Sequence, residues 1–104
     1  MKFIISSMSM AMFIGKDYDL KVHELTEDEF HAIAYDGISH IGHHDIAEIT
    51  NFAYNKTPVQ VRPGDILLVA QKYHGVLRFH CIQMFESESP LFREEELLIE
   101  EEVY

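Results

Sequence analysis

Apolar and polar positions divide the chain into short runs separated by turn-forming clusters. Phe3-Ile4-Ile5 is apolar throughout, as a buried strand is, and breaks at Ser6-Ser7. From Ser6 to Met12 small polar residues alternate with methionines, a stripe read as core packing because methionine fills irregular gaps. Ser6, Ser7 and Ser9, just past a strand, equally offer hydroxyls to the mouth of a pocket. Gly15 to Asp19 reads as a polar turn and Lys21 to Leu25 as a strand. Thr26-Glu27-Asp28-Glu29 forms a capping box, Thr at N-cap and Glu at N3, opening a helix that buries Phe30, Ile33 and Ala34 and stops at Gly37. His31 on that helix is expected in solvent. A second helix is expected from Ile46 to Tyr54, with Ile46, Ile49, Phe52 and Ala53 on one face, ended by Asn55-Lys56-Thr57-Pro58. Three strands follow, Val59 to Val61, Ile66 to Gln71 and Val76 to Phe85, joined by Arg62-Pro63-Gly64-Asp65 and Lys72-Tyr73-His74-Gly75. Ile66 to Ala70 is continuously apolar, the mark of a central strand covered on both sides. The last strand alternates, Leu77, Phe79 and Cys81 against Arg78, His80 and Gln83, so Arg78 and His80 share a face.

The order β, turn, β, α, α, β, β, β predicts an α/β fold, a single domain with a mixed sheet of about five strands and helices packed against it. A length of 104 residues suits one core. Composition sharpens the boundaries. The net charge is −10, but residues 86–104 hold eight acids and one base, a net of −7, leaving −3 for residues 1–85. The expected organisation is therefore a domain over 1–85 and an acidic extension over 86–104, where Leu97, Leu98 and Ile99 sit between two glutamate triplets. An acidic balance disfavours long nucleic acids as partners. One cysteine, Cys81, allows no internal disulfide and fits a reducing compartment. With no stretch near the roughly 20 apolar residues that cross a bilayer, and no leader pattern after Met1, a cytoplasmic protein without membrane contact is expected.

Candidate chemistry concentrates in the eleven residues Ser39 to Ile49, where Gly42, three histidines (His40, His43 and His44) and Asp45 lead into the second helix. Asp45 is the expected N-cap, Glu48 its capping-box partner, and Ile46 the first helical residue. The stretch itself is expected as a loop between two helices. Unpaired N–H groups at a helix start attract phosphate, and a histidine beside them can act as acid or base near neutral pH. The competing reading is a histidine that only caps the helix or bonds a nearby carbonyl. Metal binding by His40, His43, His44 and Asp45, with His74 or His80, matches no zinc spacing, so no metal and no cofactor are assigned. A triad of Ser9, His43 and Asp45 lacks a nucleophile elbow, and neither a phosphate-binding P-loop nor a dinucleotide glycine pattern occurs.

Ser39-His40-Ile41-Gly42-His43 before a helix, then Val59-Gln60-Val61 and Pro63-Gly64-Asp65-Ile66-Leu67-Leu68-Val69-Ala70-Gln71, resembles the small viral ring nucleases, anti-CRISPR proteins of archaeal viruses, phages and prophages. The similarity runs over about residues 1–84. It implies a homodimer that binds cyclic tetra-adenylate across its interface and cleaves it without metal. A ribose 2′-hydroxyl attacks the adjacent phosphorus, and the family histidine, here His43, protonates the departing 5′-oxygen. The resemblance also implies ligand contacts from Gly42, Ser6 and Ser9, and His44 is expected to flank the phosphate at the helix start. The family's two arginines have no one-to-one match here, their places falling near Pro58 and Gly75; Arg62 and Arg78, or Lys72 and His74, stand close by as substitutes. The family has Ser or Thr where this chain has Asp45 and Ile46. A non-catalytic member that sequesters a cyclic nucleotide or binds a host protein is the alternative.

Overall fold

In a computed structural model the described residues are 1–8, 12 and 18–86. They form β1 (Lys2–Ile5), β2 (Tyr18–Leu25), α1 (Glu27–Ala34), β3 (Ile38–His40), α2 (His44–Thr50), β4 (Ile66–Tyr73) and β5 (Val76–Glu86). The five strands make one mixed sheet in the order β2-β5-β4-β1-β3. β1 lies parallel to both β3 and β4, with Ile5 opposite His40 on one side and Val69 on the other. β5 runs antiparallel to β4 and β2. This is the expected α/β architecture. No helix among the described residues is long and apolar enough to cross a membrane.

Alternation along the strands sorts the core into two layers. On one face Ile4, Leu68, Ala70 and Phe79 pack with Phe30 and Ala34 of α1 and Ile46 and Ala47 of α2. The opposite face buries Phe3, Ile5, Leu67, Val69, Ile82 and Met84 beneath Met12, Val59 and Val61. Helices thus cover one side and loop segments the other. β4 is the strand buried on both faces that its apolar run predicts. The capping box forms as expected: Glu29 N–H donates to Thr26 Oγ1 at 3.1 Å and Thr26 N–H to Glu29 Oε1 at 2.9 Å. At the other end of α1, Lys2 Nζ donates to the Ile33 carbonyl at 3.2 Å, beside an ion pair to Asp36 at 3.0 Å.

Several local expectations change. Ile38–His40, expected in a loop, is an edge strand: Phe3↔Ile38 to Ile5↔His40 pair in parallel. Three residues are too few for periodicity to reveal a strand, and only β1 specifies it. Val59-Gln60-Val61 is not a strand. Its alternation is real, with both valines buried and Gln60 exposed, but it pins a loop onto the sheet, and Val61 N–H donates to the Met12 carbonyl at 2.7 Å. α2 starts two residues before Ile46 and ends at Thr50, where Asn51 adopts φ 62 as a left-handed cap. Phe52 and Ala53 therefore lie beyond the helix, although Phe52 still packs against the core. His31 is not free in solvent but stacks on Phe52 at 5.5 Å. The last hairpin is tighter than expected, because Tyr73 pairs with Val76 and only His74 (φ 51) and Gly75 (φ 79) turn, as a type I′ turn requires. Gln83 falls on the opposite parity from Arg78 and His80, which lie in register with buried Ile82 and Met84. Of the methionine stripe, Met12 is in the core, Met8 is exposed, and Met10 lies outside the described residues.

Candidate active site

β1 and β3 are parallel neighbours whose chains leave in opposite directions. After β1 the chain reaches Met12 on the loop-covered face, whereas β3 leads into α2 on the helical face. A crevice at the carboxyl ends of parallel strands opens where connections diverge in this way, and such switch points are where open α/β sheets bind ligands. The first residues past the two strands meet there. Ser6 Oγ lies 2.7 Å from His43 Nδ1. Ser6 is 2 % exposed, so its hydroxyl is fixed and orients the ring. Either partner can donate, because a hydroxyl donates or accepts and an imidazole nitrogen does either according to its proton. Nδ1 is thereby occupied, while Nε2 has no hydrogen-bond partner among the described residues.

The ring borders a cleft of about 610 Å³, within the range of small-molecule sites. Ile5, Ser7, Met12, His40, Gly42 and His43 line one side and residues 55–60 the other. That second wall is fastened to β3 by Asn55 N–H to the Ile41 carbonyl at 2.9 Å, Asn55 Nδ2 to the Ser39 carbonyl at 2.9 Å, and His40 Nδ1 to the Thr57 carbonyl at 2.9 Å. Thr57 N–H donates to Asn55 Oδ1 at 3.0 Å, an Asx turn that places Lys56 at its bend. The wall also covers the outer edge of β3, which would otherwise offer unpaired backbone groups.

The predicted residues separate. Gly42 lines the cleft, and a Cβ there would meet nothing within 4 Å, so the protein's own packing does not require glycine at this point. His43, not Asp45, is the N-cap of α2, and its side chain makes no capping bond. Asp45 sits in the first turn and accepts from Lys72 Nζ at 2.8 Å. This hydrogen bond is the main cause holding the Asp45 carboxyl below its usual range, and the lysine offsets the charge that would repel a phosphate. His44 stacks on Tyr54 at 3.7 Å rather than lining the cleft. Arg62 is remote. It begins the turn before β4, whose Ile66 pairs with Lys2 at the far end of β1. Arg78 lies on β5 opposite Gln71, beside a separate hollow with Tyr73, His74, Val76 and His80, and pairs with Glu24 at 3.7 Å. Ser9 lies outside the described residues. Among the described residues no three of His, Cys, Asp and Glu converge as metal ligands would.

The sequence reading missed Lys56, the one lysine or arginine among the described lining residues, and the lining role of His40. Asn55-Lys56-Thr57-Pro58 carries an Asx-turn signal, but nothing local says that the turn folds back onto β3.

No family model and no curated protein matches the chain. The fold has a solved counterpart in B116 of Sulfolobus turreted icosahedral virus, with a TM-score of 0.65 at 16% identity over 79% of this chain and 97% of that one. At that identity the likeness establishes the architecture, which this chain shares with a small archaeal viral protein.

Proposed function

We propose that the protein is a metal-independent ring nuclease of viral origin that cleaves cyclic tetra-adenylate and so lowers the signal of type III CRISPR defence. The observation that carries this is the Ser6–His43 pair at the switch-point cleft. Ser6 holds Nδ1 whether the imidazole is neutral or protonated, and Nε2 is left to give its proton to a leaving oxygen. In the reaction the 2′-hydroxyl gives up its proton to a base as its oxygen bonds to phosphorus, the bond from phosphorus to the 5′-oxygen breaks, and that oxygen takes the His43 proton. A 2′,3′-cyclic phosphate and a 5′-hydroxyl result. A ring of four nucleotides exceeds one such cleft, which fits a homodimer whose two copies share the ligand.

The test is incubation with cyclic tetra-adenylate in EDTA. Wild type is expected to yield linear product, and His43→Ala to be slower by about 10²-fold or more, the usual worth of a positioned acid. No linear product from wild type at high enzyme concentration sinks the proposal.

A second reading rests on the scarcity of cations: Lys56 is the one lysine or arginine among the described lining residues. Few cations mean weak stabilisation of a charged transition state, which favours a protein that sequesters the cyclic nucleotide. Calorimetry detecting tight binding without turnover selects that reading.

A further inference from the structure

A second imidazole lines the same cleft, and the tautomer of its neutral form follows from what it touches. His40 ends β3, with its ring edge-on to Phe3 at 5.7 Å on the loop-covered face. Its Nδ1 lies 2.9 Å from the Thr57 carbonyl oxygen. A carbonyl oxygen only accepts, so Nδ1 carries the hydrogen. In the neutral ring the lone pair is then on Nε2, and no group among the described residues bonds that atom. His43 differs, because its Nδ1 meets a hydroxyl that can donate or accept. One cleft therefore holds an imidazole suited to carry a proton and another whose neutral form is a fixed Nε2 base.

We propose that His40 is the general base of the reaction, working opposite His43 as acid; this rests on the ring-nuclease reading above. His40 Nε2 takes the 2′-hydroxyl proton as the 2′-oxygen closes on phosphorus. His43 gives its proton to the 5′-oxygen as that bond breaks. The two rings end with exchanged protonation states and re-equilibrate through water, so one proton enters and one leaves. The titratable groups that share the cleft with His40 are His43 and Lys56, while β1 contributes the apolar Phe3 and Ile5. No carboxylate among the described lining residues competes for the role.

His40→Asn separates catalysis from scaffolding, because the amide nitrogen can replace Nδ1–H as donor to Thr57 while the base is lost. The probe is adenosine 3′-(4-nitrophenyl phosphate), whose leaving group departs without a proton and so needs a base but no acid. Wild type is expected to accelerate nitrophenolate release. His40→Asn is expected to fall by about 10²-fold or more. Release by His40→Asn at the wild-type rate overturns the proposal, as does no acceleration by wild type. Nitrogen-15 spectra of wild type supply a test that does not depend on the variant: the neutral ring should carry its proton on Nδ1, and an Nε2–H tautomer overturns the assignment. If the nitrophenyl ester is cleaved but cyclic tetra-adenylate is not, the ring-nuclease reading fails while the base stands. If the ring is cut and His40→Asn behaves as wild type, the reverse holds.

Discussion

At the scale of single residues, Ser6 separates orientation from chemistry. Its hydroxyl is buried and its partner is exposed, so Ser6→Ala strands no buried polar atom and should cost at most about 1 kcal/mol of stability. The ring, however, loses the contact that fixes its direction. A fall in kcat of about tenfold or more, with KM little changed, is expected, because misorientation acts in the transition state. Thermal unfolding measured beside the kinetics separates the two effects, and an unchanged kcat removes Ser6 from the site. Gly42 makes the complementary point: the space where its Cβ would lie is empty, so the chain's own packing does not require glycine there.

At the scale of elements, α2 is short, seven residues, and isolated helices of that length do not hold in water. It stands because Ile46 and Ala47 are buried in the helical layer and because Lys72 of β4 holds Asp45 in its first turn. The Asp45 pKa is lowered, chiefly by the Lys72 hydrogen bond. A carboxylate lowered on folding contributes stability that is present above its unfolded pKa and lost as pH falls through the folded value. Lys72→Met should therefore raise the Asp45 midpoint toward its ordinary value of 3.8 and flatten the acid-side loss of stability. Carbon-13 titration of the carboxyl reads this directly, and an identical midpoint in the variant refutes the anchoring. The same pair reconciles an aspartate in this first turn with the proposed phosphate ligand, since its charge is already engaged.

At the scale of the whole molecule, the described residues leave part of one sheet face uncovered. Leu20, Val22, Tyr73 and Val76 are exposed beyond the segment that Met12, Val59 and Val61 cover. A second copy sharing the ligand would make the protein a dimer, and sedimentation equilibrium should return twice the monomer mass at micromolar concentration. A monomer that still cleaves the ring would refute the shared pocket and leave the Ser6–His43 chemistry in place. The architecture is held in common with B116.

The sequence by itself determined the elements whose signals are local. The capping box at Thr26, the apolar run of β4 and the hairpin glycine needed no partner to be read. What the tertiary structure alone decided depends on contacts between distant segments. β3 exists because β1 pairs with it, Val59 and Val61 pin a loop because the sheet beneath them needs covering, and Ser6 meets His43 across 37 positions of chain. Asp45 bonds Lys72 instead of capping its helix, and His40 is held by a carbonyl 17 residues on. Periodicity records which side of an element is buried; it carries no information about which two strand ends will lie side by side, and the cleft is made at just such a junction.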